Sequence, residues 1–402
     1  MNEAFLQAST IISTLEKDGH EAYIVGGSVR DHILNRDLGD IDIATSATPT
    51  QIQALFPKTI DVGAEHGTII VVTDNDSYEV TTFRTEGSYS DNRRPDEVTF
   101  VKSLKEDLRR RDFTMNAIAM TKEGKILDPF CGTRDIEHKL IRTVGEASER
   151  FSEDALRMFR ALRFSSQLSF SVHSKTLEAI QLDAHLMQHI SVERKTVELE
   201  KLLIGQGMTQ ALSLLVESNL FLFLPLLADK KEELIKLSEF PLHTLTSREE
   251  LWTTFVYMLK VEEVERFLTA WKLPKRLSKS VQEILHTIQQ FQKQGWHQEL
   301  VYRSGWNACL AAHHVLLLLE LDKSNSYLDI KRLFEELPIY NLQDIAINGN
   351  DLVEWLEKKP GKWIAEVLQE IESELLQGNI ENEAVVLKEW VRTWQQKLER
   401  NC

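Results

Sequence analysis

Glycine and short β-type runs are confined to one end of this chain, and that asymmetry limits the folds open to it. Ten of its 17 glycines fall within the first 150 of 402 residues. The same stretch holds short runs rich in β-branched and aromatic residues at 21–27, 40–45, 67–73, 78–84 and 125–130. Each is bounded by turn residues, as strands are. After about Gly145 apolar residues recur at helical spacing, as in Val197, Leu199, Leu202 and Leu203, and again in Leu212, Leu214 and Leu215. The pattern predicts an α+β chain: a head of mixed sheet and helices over 1–145, then helical segments over 146–205 and 206–402.

Composition narrows the function. With 47 basic and 62 acidic residues the net charge is −15, which argues against a protein that coats nucleic acid through bulk charge and leaves room for a local basic groove. No apolar run approaches the ~20 residues of a membrane span. The N-terminus lacks a basic flank followed by an apolar core, so no signal peptide is expected. Cys131, Cys309 and Cys402 are far apart and form no C-x-x-C. Neither a disulfide framework nor a cysteine zinc site is expected, and a cytoplasmic setting fits.

Chemistry first shows at Tyr23 to Asp31, which reads as a strand, a Gly26-Gly27 corner and a helix starting near Ser28. Such a corner lets a phosphate approach the backbone, although many serve only packing. Further on, Asp40 and Asp42 flank Ile41 in what reads as one strand, so both carboxylates point to a single face. Two acids that close repel each other. A divalent cation with oxygen ligands, Mg²⁺ shared with substrate phosphates, makes the arrangement favourable; a polar strand edge facing water is the plainer reading. Glu79, an acid inside a β-branched run, is either a third carboxylate for two-metal phosphoryl transfer or an exposed strand position.

At these residues the chain resembles a known family. Gly26-Gly27-Ser28-Val29-Arg30-Asp31 followed by Asp40-Ile41-Asp42 is similar to the polymerase-β-type nucleotidyltransferases. The run Arg109-Arg110-Arg111-Asp112-Phe113-Thr114-Met115-Asn116-Ala117 resembles the RRDFT-x-N-A motif of one branch. That branch holds the bacterial-type (class II) CCA-adding tRNA nucleotidyltransferases and the bacterial poly(A) polymerases. The likeness continues through Asp128 to Gly132, with Cys131 where the family usually has glycine, then through Ser152 to Phe164 and Glu193-Arg194. It covers about the first half of the chain, and the second half matches more loosely, as at Asn348 to Leu352.

The resemblance implies a polymerase-β-like head over 1–145, a nucleotide-selecting neck over 146–205, and a helical body and tail over 206–402 that binds tRNA. It implies addition of C, C and A to the 3′ end of tRNA from CTP and ATP, without a nucleic-acid template. Two Mg²⁺ ions would be held by Asp40 and Asp42 as metal ligands, with Glu79 as the third catalytic acid. Gly26, Gly27 and Arg30 would meet the triphosphate, Arg111 the phosphates and sugar, and Asp112 a ribose 2′-hydroxyl, with Asn116 in the same motif. The acceptor arm of tRNA is the expected partner, no membrane is, and the chain acts either alone or as a homodimer. A bacterial poly(A) polymerase and a non-catalytic RNA-binding relative are the rivals.

Residues 153–163 carry base choice in this reading. If they form one helix, Glu153 and Asp154 lie one turn before Arg157, with Arg160 and Arg163 beyond. The plain reading is a solvated intrahelical ion pair. The sharper one is a template: a carboxylate accepts from the exocyclic amines of cytosine and adenine, and faces the carbonyls of uracil and guanine acceptor to acceptor. The family's pair maps to Asp154 and Arg157, with Glu153 orienting Arg157, and Arg160 and Arg163 on phosphate or the template. The polar segment from Phe83 to Asp96 reads as a mobile loop; enzymes of the family it resembles that add only CC tend to lack an intact loop here, so the resemblance implies addition of the final A, the plainer reading being an inert hairpin loop. The eight tryptophans, all beyond residue 250, are expected mostly to pack, with one or two free to stack on tRNA.

Overall fold

The structure, a computed structural model, describes residues 3–74, 76–87, 98–322 and 326–401. Most of the segment read as a mobile loop, residues 88–97, lies outside the described residues. The chain forms two compact units, Met1–Thr244 with Ala270–Lys272, and Leu245–Thr269 with Leu273–Cys402.

The first unit opens with α1 (Glu3–Lys17), β1 (Ala22–Val25), α2 (Gly27–Ile33), β2 (Asp42–Thr45), α3 (Pro49–Leu55), β3 (Thr59–Gly63), β4 (Thr68–Val72) and β5 (Ser77–Thr82). A small hairpin, β6 (Arg84–Glu86) and β7 (Val98–Phe100), precedes α4 (Leu104–Arg109), β8 (Ala119–Met120), β9 (Ile126–Leu127), α5 (Gly132–Glu137) and β10 (Leu140–Ile141). Seven strands make one sheet in the order β3-β4-β5-β2-β1-β8-β9. Only β2 and β5 run parallel, which makes the sheet mixed, as the sequence predicts. Alternation explains its burial: Ile43, Ile69, Val80 and Tyr78 are buried, and the Tyr78 hydroxyl donates to Gln7 of α1, so this face packs on helix. Asp42 and Glu79 belong to the other face.

The neck follows as α6 (Ala147–Glu153), α7 (Leu156–Leu168), β11 (Ser171–Val172), α8 (Ser174–Asp183), α9 (Val192–Leu203), α10 (Met208–Glu217) and α11 (Lys231–Leu237). The compact unit runs past residue 206, because α10 closes on α7 through glycines. A Cβ on Gly205 would stand 2.2 Å from the Ser166 hydroxyl, and one on Gly207 2.7 Å from the Ser165 carbonyl. The single helix expected over 153–163 is broken. Asp154 is extended (φ −139°, ψ 102°), and its Oδ1 accepts from the Leu156 N–H at 3.1 Å, so a side-chain cap starts a new helix there.

The second unit is helical: α12 (Arg248–Met258), α13 (Val264–Ala270, whose last residue joins the first unit), α14 (Lys275–Gln294), α15 (Gln298–Leu318), α16 (Ser326–Glu335), α17 (Gly349–Leu356), α18 (Trp363–Leu376) and α19 (Ala384–Asn401). Gly305, at φ 73° and ψ 163°, kinks α15. The tryptophans all pack: Trp252 and Trp271 are fully buried, Trp296 and Trp306 join a core around Cys309, and Trp355, Trp363, Trp390 and Trp394 join one around Ile371. Among the described residues no helix is long and apolar enough to cross a membrane.

Cys131 proves informative. It caps α5 at φ 60°, ψ 33°, the left-handed region that favours glycine. Its neighbour Gly132 has no such freedom to change, since a Cβ there would sit 2.1 Å from the Thr114 carbonyl. Adjacent substitutions should therefore have opposite signs. Cys131→Gly should raise stability by up to about 1 kcal/mol, and Gly132→Ala should lower it by about 2 kcal/mol or more; urea denaturation of both variants checks this.

Candidate active site

One cleft of about 910 Å³ opens on the site face of the sheet, between the Gly26-Gly27 corner, β2, β5 and α7. Eight arginines and four carboxylates line it, an excess of four positive charges in a chain whose net charge is −15. Acidic bulk and basic cleft therefore coexist, and the cleft suits a polyanion.

The carboxylates come from strand register. Asp42 pairs with Val25 of β1 on one side and with Glu79 of β5 on the other, so Asp42 and Glu79 sit side by side on one face. Asp40 precedes β2 and is exposed, instead of lying within the strand as the alternation predicts. Its charge still reaches Asp42. Burial pushes the Asp42 carboxyl up to about 6, the Glu79 and Asp40 charges push the same way, and Arg111 opposes them. Gly26, at φ 79°, makes room beside this group. A Cβ there would lie 3.0 Å from Arg111 Nη1 and 3.8 Å from Asp42 Oδ2.

The arginines are held by carboxylates, some one helical turn away and some remote in sequence. Asp107 is fully buried and accepts from Arg110 Nε (3.0 Å) and Nη2 (2.8 Å), and from Arg111 Nη2 (3.3 Å). Burial disfavours its charge, yet Arg110 and Arg111 outweigh burial and hold its carboxyl below the usual range. Asp112 is buried too. Its Oδ1 accepts from the Phe113 N–H and from Asn116 Nδ2, and its Oδ2 from Arg160 Nε (2.9 Å) and Nη2 (2.6 Å). A carboxylate has about four acceptor positions, so Asp112 has none left for the ribose hydroxyl expected of it; here it fixes Arg160 and Asn116. Burial opposes its ionisation, but Arg160 and Asn116 hold it well below the carboxylate range. Asn116 in turn accepts from Arg30 Nη1 at 2.7 Å.

Phe164 of α7 gathers three cations. The guanidinium carbons of Arg163, Arg30 and Arg160 stand 3.9, 5.1 and 5.4 Å from its ring centre. The negative ring face offsets part of their mutual repulsion. Arg163 also pairs with buried Glu198 of α9 at 2.6 Å. Burial lowers the Arg163 guanidinium to about 10, with the Glu198 charge resisting the shift.

The expected template pair is present but differently wired. Asp154 and Arg157 both line the cleft. Arg157 donates to Glu153 at 2.5 Å and to the Arg150 and Arg110 carbonyls at 3.2 and 3.0 Å, so Glu153 lies behind Arg157 and outside the cleft lining. Asp154 pairs instead with Arg194 of α9, at 3.2 and 2.7 Å. Thus the cleft brings together Gly26, Gly27, Arg30, Asp42, Glu79, Arg111, Asp112, Asn116, Asp154, Arg157, Arg160 and Arg163, and does not include Asp40 or Glu153 in its lining.

Comparison with known proteins places this geometry. The family described as the poly A polymerase head domain matches residues 22–142, that of the probable RNA and SrmB-binding site of polymerase A matches 169–231, and that of tRNA nucleotidyltransferase domain 2 matches 243–391. A CCA-adding enzyme of Bacillus cereus strain Q1 is 47% identical over 391 residues, covering 97% of this chain and 98% of that protein. The chain belongs to the CCA-adding enzymes. The Bacillus stearothermophilus CCA-adding enzyme, solved in complex with CTP, is 43% identical with a TM-score of 0.93, and each chain is fully covered. The Thermotoga maritima CCA-adding enzyme, solved in complex with tRNA, shares the fold at 20% identity, with a TM-score of 0.62 over 98% of this chain and 96% of that one.

For a CCA-adding enzyme, sequence reading left three site residues without a role: Asp107, Arg194 and Glu198. Glu198 had a signal, a charge at helical spacing with Leu199 and Leu202 on the buried face of α9. Asp107 had one too, its i+3 and i+4 spacing to Arg110 and Arg111; Arg194 had none, because its partner is set by tertiary packing. The Asp112–Arg160 pair makes a testable point. A carboxyl held below its unfolded value of about 3.9 stabilises the fold above that pH and loses the contribution as pH falls. Asp112→Asn should therefore cost about 2 kcal/mol at pH 7, and the gap to the parent should close below about pH 4. Urea titrations at several pH values measure it.

Proposed function

We propose that this protein adds C, C and A in turn to the 3′ end of tRNA, from CTP and ATP and without a nucleic-acid template, using the residues of the cleft. The observation that carries this is the meeting of Asp42 and Glu79 with Asp154 and Arg157 in one arginine-lined cavity: groups suited to phosphoryl transfer and groups suited to reading a base share a single site.

Arg30, Arg111, Arg160 and Arg163 bind the triphosphate and neutralise it, and their carboxylate partners keep them aligned before the nucleotide arrives. The space at Gly26 admits the phosphates beside Asp42. Asp154 accepts from the amine shared by cytosine and adenine, Arg157 donates to the ring, and Arg194 and Glu153 hold these two in place. Asp42, Asp40 and Glu79 fit Mg²⁺: the donor set is oxygen only, and burial, reinforced by the Glu79 and Asp40 charges, already raises Asp42. Bound there, Mg²⁺ supplies charge neutralisation and polarises the reacting oxygens.

The head likeness alone fits a poly(A) polymerase equally well. The match of residues 243–391 to a tRNA nucleotidyltransferase domain supports the tRNA reading. The test is direct: with tRNA lacking its last three nucleotides, CTP alone should give addition of two residues, ATP alone none, and both together a complete end. Long A tails on unstructured RNA would contradict it. Asp42→Ala should cut turnover roughly a thousandfold or more while tRNA binding persists, and that binding should weaken steeply with salt.

A further inference from the structure

We propose that an apolar strip on the outer strands of the sheet, Ile60 and Val62 of β3 with Ile70 of β4, seats the terminal nucleotides of the RNA acceptor and points its 3′-hydroxyl at Asp42 and Glu79. The proposal rests on the transfer reading above and names where the acceptor lies.

Register sets the strip beside the carboxylates. Glu79 pairs with Asp42 on one side and with Ile70 on the other, and Ile70 pairs with Ile60. Paired residues share a face of a sheet, so Asp42, Glu79, Ile70 and Ile60 form one row across four strands, about 14 Å long at ~4.8 Å per strand. The register shifts between Asp61 and Gly63, and Val62 in that bulge lines the cleft, as do Thr68 and Arg84. On the opposite face Ile69 and Val80 are fully buried, whereas Ile60 is 51% and Val62 54% exposed. Edge strands are usually blunted by charge; here the site face of the edge carries isoleucine and valine.

In-line transfer fixes what this strip faces. The attacking hydroxyl and the leaving pyrophosphate stand on opposite sides of the phosphorus. The arginines that would hold the triphosphate cluster around the corner after β1. In the strand order β1, β2, β5, β4, β3, the carboxylates of β2 and β5 lie between that corner and the strip. An acceptor arriving opposite the leaving group therefore crosses β4 and β3. The strip is apolar and suits base and ribose faces. Arg84, anchored by donating to the His66 carbonyl, borders it with a cation for the backbone phosphate. Contact with base faces is tolerant of sequence, which suits an acceptor whose last base changes with each addition.

The test uses the full chain and tRNA lacking its last three nucleotides. The Ile60→Ser/Val62→Ser double variant should raise KM for this tRNA roughly tenfold, while affinity for CTP measured without RNA stays within twofold. In the parent protein, a 4-thiouridine placed as the tRNA's terminal nucleotide should crosslink within residues 60–70. Unchanged KM for tRNA, or crosslinks confined to other segments, overturns the proposal. So does a variant that changes only self-association of the protein. If the double variant fails to fold, the crosslink alone decides. Failure of the parent protein to extend tRNA at all would instead overturn the transfer reading.

Discussion

Eight arginines around one cleft repel one another, and the site depends on how that repulsion is offset. The answer is a set of carboxylates placed behind the guanidinium groups. Asp107 holds Arg110 and Arg111, Asp112 holds Arg160, Glu198 holds Arg163, and Glu153 holds Arg157. Each is buried or half-buried, where a charge without a partner is costly. The pairs fix the guanidinium forks in the low-dielectric wall of a cleft whose lining carries eight arginines and four carboxylates. Phe164 completes the arrangement as a shared neutral face for Arg30, Arg160 and Arg163.

This wiring spans elements that are far apart in sequence. Arg194 and Glu198 of α9 reach α7, and Arg157 of α7 reaches the carbonyl of Arg110 at the end of α4. The groups proposed to read the base and those proposed to bind phosphate thus share one hydrogen-bonded frame. The α6–α7 break at Asp154 belongs to the same logic. A continuous helix would carry Asp154 with its neighbours; the extended residue instead turns its carboxylate to cap α7 and to meet Arg194.

Legibility in the sequence follows the range of the interactions. The sheet was readable because strand alternation and glycine corners are local, and the seven-stranded order then sets Glu79 beside Asp42 by simple register. Gly26, Arg30 and Arg111 could be picked out from motifs. The break at Asp154 was misread because a capping side chain, not propensity, decides it, and a helix-cap reading of Asp154 was available; the start of β2, two residues later than alternation suggests, has no such local mark. The i+3 and i+4 spacing of Asp107 to Arg110 and Arg111 was there to be read; the pairing of Asp112 with Arg160 and of Arg194 with Asp154 was beyond reach, since no spacing rule says which distant charge a buried carboxylate will meet.

The central claim is that this frame presents Asp154 and Arg157 as the reader of the incoming base. Single-nucleotide incorporation by purified Asp154→Ala protein, with each of the four nucleoside triphosphates, tests it most directly. The account predicts that CTP and ATP lose preference together, by roughly ten- to a hundredfold, and that UTP and GTP are incorporated in their place. Unchanged selectivity for C and A, with only a small loss of stability, would contradict it and leave Asp154 as a helix cap paired with Arg194.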